Sequence, residues 1–182
     1  MALTKVQAEG VNLADTFAFS GTVTGATPIT HVDQWRLTTD FSGTAEPIAS
    51  NLERVDTGAQ GTIGSAMTVS SGIFTFPVTG IWLVTARVGL SRAGDSRYQT
   101  LYIQATVNNS DYTTIAQNNS NINQSESGRT YISNHNSSTM DVSNVTNVKV
   151  RFSVTPSQSD VLTHGDSTLN GTSFTFIRLG DT

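Results

Sequence analysis

Gly72 to Leu90 reads GIFTFPVTGIWLVTARVGL, two apolar runs joined by a turn at Thr79-Gly80. Each run is short, β-branched or aromatic, and bounded by Gly or Pro, which is the signature of strands rather than of a helix. In the second run Trp82, Val84, Ala86 and Val88 share one phase. The other phase begins with Ile81 and Leu83 and ends with Thr85 and Arg87. A strand with one solvated face has no use for Ile and Leu on its outer phase.

Working outward, the same pattern recurs. Trp35 and Leu37 share a face, Phe74 and Phe76 share another, and Leu101, Ile103, Ala105 and Val107 alternate with polar residues. Val148, Val150, Phe152 and Val154 alternate with Lys149, Arg151 and Ser153, and the chain closes on Phe174 and Phe176 with Ile177 and Leu179 in the opposite phase. The expected core is therefore Trp35, Leu37, Phe74, Phe76, Trp82, Val84, Val88, Leu101, Ile103, Val150, Phe152, Phe174 and Phe176. Gln117 to Arg129, QNNSNINQSESGR, has almost no apolar content and is expected to be a long solvated loop. Glu46 to Val55 contains a Pro and reads as an irregular or edge segment, and Pro156 to Asp166 as loop.

Composition agrees with an all-β chain. Only 13% of the 182 residues are charged, and Thr and Val suit strands while Asn, Ser and Gly suit turns. Eight to ten short strands at turn-rich spacing, with no βαβ rhythm, predict a sandwich or barrel and exclude the doubly wound nucleotide folds. The net charge of −4 and the absence of any Lys/Arg cluster exclude a phosphate-neutralising stripe, so no nucleic-acid partner is expected. No run approaches the roughly 18 apolar residues of a membrane span. Cysteine is absent, and no signal-peptide pattern opens the sequence. The Asn-x-Ser/Thr triplets at Asn108, Asn118, Asn123, Asn136, Asn144 and Asn170 are then chance products of a chain rich in those residues. A protein made in a cytoplasm without oxidative cross-links is expected.

Residues 1–30 stand apart from 31–182. Within them only Phe17 to Val23 reads as a strand, with Phe17, Phe19 and Val23 in one phase. A strand this short must pair with something. It is either an ordinary edge strand or an attachment or trimerising arm. The outer residues Ile81, Leu83, Tyr102, Ile177 and Leu179 would form an apolar patch if they cluster, which a homo-oligomer would bury. Covering loops within one chain are the alternative.

Phe74-Thr-Phe-Pro-Val-Thr-Gly80-Ile-Trp82-Leu-Val84 resembles the signature of the complement-1q globular head, within the tumour-necrosis-factor-like jelly-roll superfamily. Pro77, Gly80 and Trp82 fit that pattern, while Val84 stands where an aromatic residue is usual. Ser138 to Val154 resembles the family's small-residue strand and following V-x-V-x-F strand, with Asn144-Val-Thr-Asn147 replacing the usual Gly-Asp turn. Gly171 to Leu179 resembles the terminal S-x-F-x-G-x-L strand, with Thr175 or Phe176 where Gly is common. The likeness spans about residues 30 to 181 and implies a jelly-roll sandwich of about ten strands that assembles into trimers. It implies no single function.

MALTKV followed by Phe17-Ala-Phe-Ser-Gly-Thr-Val-Thr-Gly25 resembles segments that precede the heads of tail-fibre and other virion appendage proteins of tailed bacteriophages. That resemblance implies a virion protein, made in the host bacterial cytoplasm, with residues 1–30 holding other virion proteins and the jelly roll displayed as a tail fibre, head fibre or capsid decoration. A receptor-binding module with a pocket near Tyr98, Tyr112 and Tyr131, facing a host-surface glycan or receptor, is the alternative.

No chemistry competes strongly with these readings. His31, His135 and His164 are not in metal-ligand spacing, and no Cys can complete a zinc site. His164-Gly165-Asp166 sets a His beside a carboxylate in a segment that reads as loop. Glu46, Glu53, Asp56, Asp95 and Asp111 sit near turns, where carboxylates ordinarily cap. No nucleophile elbow, P-loop, dinucleotide fingerprint or EF-hand loop occurs. Neither an enzyme nor a cofactor is expected.

Overall fold

The computed structural model describes residues 29–182. Twelve strands follow in order: β1 (Val32–Leu37), β2 (Phe41–Ser42), β3 (Leu52–Arg54), β4 (Thr68–Ser70), β5 (Ile73–Thr75), β6 (Gly80–Arg92), β7 (Ser96–Thr106), β8 (Thr113–Ile122), β9 (Thr130–Val142), β10 (Lys149–Pro156), β11 (Leu162–Thr163) and β12 (Ser173–Gly180). There is no helix among the described residues. Sheet I runs β3-β1-β12-β6-β9, with β11 and β2 continuing the β12 side beyond the end of that strand. Sheet II runs β4-β5-β10-β7-β8. The fold is an all-β jelly-roll sandwich.

β6 is the middle of sheet I. β9 pairs along its whole length, from Gly80↔Val142 to Arg92↔Thr130. β12 and β11 take its other edge, so its backbone groups are consumed on both sides. Trp82, Val84, Ala86, Val88 and Leu90 point inward and are buried. Two glycines of the opening stretch are required by geometry. Ser71 and Gly72, with φ of 49° and 77°, form the two-residue β4–β5 hairpin that demands positive φ at both positions. A Cβ on Gly72 would strike the Ile48 carbonyl, and one on Gly80 the Gly180 carbonyl.

The core is an aromatic cluster between the sheets. Phe74 of sheet II lies 5.7 Å from Trp35, 5.9 Å from Phe174 and 5.1 Å from Phe176, all of sheet I. Phe152 stacks on Phe174 at 4.0 Å, and Phe76 meets Trp82 at 5.2 Å. Leu37, Leu101, Ile103 and Val150 fill the space around them. Edge-to-face and offset contacts of this kind add to the burial of the rings.

Three segments depart from the sequence expectation. Gln117 to Ile122 is not loop but the second half of β8, paired to β7 from Gln117↔Tyr102 to Ile122↔Ser96. β8 is the edge of sheet II and mostly exposed. Its pairing is made by backbone groups, so polar side chains cost little there, and alternation signals burial rather than strand. The sequence reads as two pieces here, Thr130 to Asn134 and Ser138 to Val142, because two inward positions between the apolar ones are amides, but pairing to β6 makes β9 one 13-residue strand. Asn134 Nδ2 donates to the Gln99 carbonyl at 2.7 Å and Asn136 Nδ2 to the Leu101 carbonyl at 3.4 Å. Those bonds tie sheet I to sheet II where an apolar residue would show as periodicity. The segment Pro156–Asp166 likewise contains β11.

Candidate functional site

Residues directly paired in an antiparallel sheet share a face, so the pairing table of sheet I gives its outer surface. Leu83 pairs Ile177, which pairs Val32. Ile81 is next on β6, opposite Gly180. These four residues are half-buried and make an apolar patch at the end of the sandwich where the described chain starts and β12 finishes. Further along come Thr85 and Thr175, then Arg87 opposite His135. Gln34 Nε2 donates to Thr175 Oγ1 at 2.8 Å, and Asn170 Nδ2 donates to Gln34 Oε1 at 2.9 Å, so these side chains of the polar half are held within the chain.

The five residues expected to share this surface separate. Ile81, Leu83 and Ile177 come together. Tyr102 does not: it pairs Ser153 and Gln117 in sheet II, on the outer face of the opposite layer. Phase distinguishes inside from outside but not one sheet from the other. Leu179 occupies the bulge between Arg178 and Gly180 and is 49% exposed. Phe17, Phe19 and Val23 lie outside the described residues.

The three tyrosines also divide. Tyr112, at the end of the sandwich where β12 finishes, packs under the Arg151 guanidinium at 4.2 Å, and burial pushes its phenol upward against the pull of Arg151. Tyr98 and Tyr131 sit at the far end, where β6 passes into β7 and β8 into β9. Tyr131 stacks on His164 at 5.4 Å.

That His164 is part of an arrangement hidden in the sequence. Its Nε2 is hydrogen-bonded to Ser91 Oγ at 2.8 Å, and its Nδ1 faces Asp40 Oδ2 at 3.5 Å. The carboxylate partner is thus Asp40, not the neighbouring Asp166, which caps its own turn through Thr168 and Leu169. Ser, His and Asp stand in the order of a nucleophilic triad. Ser91 is, however, fully buried, and Arg129 Nη1 donates to its hydroxyl at 3.2 Å. A substrate carbonyl has no approach to it, and the trio binds three chain segments together.

His31 packs on Trp82 at 5.8 Å, and its pKa is lowered by burial and by Arg178 nearby. His135 is exposed opposite Arg87. No group of three or more His, Cys, Asp or Glu side chains could hold a metal ion among the described residues.

No family model matches the sequence, and no curated protein matches it. Solved structures do. Murine APRIL at pH 5.0 superposes with a TM-score of 0.58 at 13% identity, over 82% of this chain and 98% of that one. Murine APRIL at pH 8.0 gives 0.55 at 13% identity over the same shares. The likeness is one of fold, a tumour-necrosis-factor-like jelly roll.

Proposed function

We propose that the chain is a non-catalytic structural protein of a tailed-bacteriophage virion. Three copies form a jelly-roll head on the particle surface, and residues 1–30 dock it. The observation that carries the trimer is the patch of Val32, Ile81, Leu83 and Ile177 on the outer face of sheet I. The jelly-roll resemblance implies trimers, and a shared apolar face on the central strand is what such an assembly would bury. The virion setting rests on the resemblance of residues 1–30 to segments preceding appendage heads.

The native mass at micromolar concentration is expected to be three times the 19.4 kDa of one chain. Leu83→Asp would place a carboxylate from each copy in the seam, an uncompensated buried charge that costs several kcal/mol per ion, and the mass should fall to that of one chain with the circular dichroism spectrum unchanged. A single-chain mass for the unaltered protein would overturn the trimer.

Removal of residues 1–30 tests the docking. The shortened protein is expected to keep its oligomeric mass but to be missing from purified particles. Undiminished incorporation would refute the role given to those residues.

A further inference from the structure

At the far end of the sandwich from Ile29 and Gly180, a groove of about 570 Å³ runs between the start of β7 and the end of β8. It is built by a bulge. Ser96 pairs Ile122 and Gln99 pairs Ser120, so Arg97 and Tyr98 together oppose the single residue Asn121. An extra residue of this kind bends the strand and re-aims its side chains. Ser157 fixes the bulged backbone: its Oγ accepts from the N–H groups of Arg97 at 3.0 Å and Tyr98 at 3.4 Å, and its N–H donates to the Tyr98 carbonyl at 2.8 Å. Tyr98 is held from behind yet 47% exposed in front.

The groove is lined by Asp95, Arg97, Tyr98, Asn119, Asn121 and Asn123 among others, and several of these are pre-oriented with valences to spare. Asn121 Nδ2 donates to Asn123 Oδ1 at 2.8 Å, which leaves the Asn121 carbonyl oxygen and the Asn123 amide protons. Thr100 Oγ1 donates to Asn119 Oδ1 at 2.5 Å, which leaves the Asn119 amide protons. Asp95 Oδ1 accepts from the Gln124 N–H at 2.7 Å, with Oδ2 unused. Arg97 makes no ion pair among the described residues. Ser120 Oγ is buried beside the groove with no partner.

One phenol face, fixed amides, one carboxylate oxygen and one unpaired guanidinium suit few ligands. A lipid or apolar cofactor would leave the amides unsatisfied. A nucleic acid needs a row of cations along its phosphates, and the groove offers one. A pyranose fits: its C–H face lies on the electron-rich face of Tyr98, vicinal hydroxyls pair with amides that can both donate and accept, and a ring carboxylate pairs with Arg97. We propose that this groove binds an acidic pyranose unit, of the hexuronate class, in a surface glycan. The groove belongs to one chain, so the proposal draws on the projecting-head reading only for where such a glycan would be met.

Calorimetric titration of the full chain with oligogalacturonates, and with neutral galacto-oligosaccharides of equal length, tests it. The acidic series is expected to bind about tenfold more tightly at low salt, a difference that shrinks as salt screens Arg97. Tyr98→Ala should abolish binding of both series, and Arg97→Gln should bring the acidic series down to the neutral one, each with the thermal midpoint unchanged. No binding to either series, equal binding of both by the unaltered chain, or full binding by Tyr98→Ala would overturn the proposal. A chain that is monomeric yet binds would overturn the trimer and leave the groove standing.

Discussion

Phe74→Ala is expected to destabilise the protein by about 3–5 kcal/mol, the usual cost of truncating a fully buried Phe. Phe74 is at the centre of the aromatic contacts between the two sheets. It contacts Trp35, Phe152, Phe174 and Phe176 with centroids between 5.1 and 5.9 Å. Those partners belong to β1, β10 and β12, so the vacated volume is bounded by three strands already fixed by their own ladders, and none can collapse far into it. Against a total stability of about 5–15 kcal/mol this is a large fraction. The urea midpoint should fall with little change in slope, and the thermal midpoint by about 6–20 °C for a chain of this size. Phe74→Leu, which keeps most of the volume, should cost less than half as much. A loss under about 1 kcal/mol for the alanine variant would show that the cluster is not the packing centre.

The legibility of the sequence follows a single rule. Where burial is apolar, phase reported it: every inward residue expected on β6, β10 and β12 is buried, and the Gly72 hairpin and the Gly80 strand start were marked by their own chemistry. Where structure is made by backbone pairing or by polar contacts, phase was silent. β8 looked like loop because an edge strand needs no apolar side chain. β9 looked broken because Asn134 and Asn136 stand at inward positions. The candidate surfaces show the same division. Ile81, Leu83 and Ile177 were visible as an apolar second phase, whereas Tyr102 shared that signal from the opposite layer. Asp95 and Tyr98 were conspicuous singly, but the bulge that joins them to Asn119 and Asn121 is a register shift between distant strands. Ser91, His164 and Asp40 meet only because β6, the loop after β11 and the loop after β1 converge.

Asp33→Ala is expected to cost as much as the core truncation, although nothing apolar is lost. Asp33 shares the inward phase of β1 with Trp35 and Leu37, and its side chain is 2% exposed. Its carboxylate accepts from the Met67 N–H at 2.8 Å, the Gln34 N–H at 2.8 Å, the Trp35 indole N–H at 3.2 Å and Arg54 Nε at 3.1 Å. Arg54 in turn lies over the Trp35 ring at 4.8 Å and donates to the Met67 carbonyl at 2.5 Å. The carboxylate therefore joins β1, β3 and the start of β4 at the edge of the sandwich, across the layer from the outward Val32 and Gln34. Its removal strands two buried N–H groups and a partly exposed cation, and each buried donor left unsatisfied costs about 1–3 kcal/mol. Asp33→Asn keeps the shape and one acceptor but points an amide at donors, so it should fall between Asp33→Ala and the unaltered chain. Arg54→Met should cost least, because the guanidinium side chain is 36% exposed and the carboxylate keeps its three other N–H donors. Urea unfolding of the three variants reads the order directly. A cost for Arg54→Met equal to that for Asp33→Ala would mean that the ion pair, rather than the two buried N–H groups, holds β1 to β3 and β4.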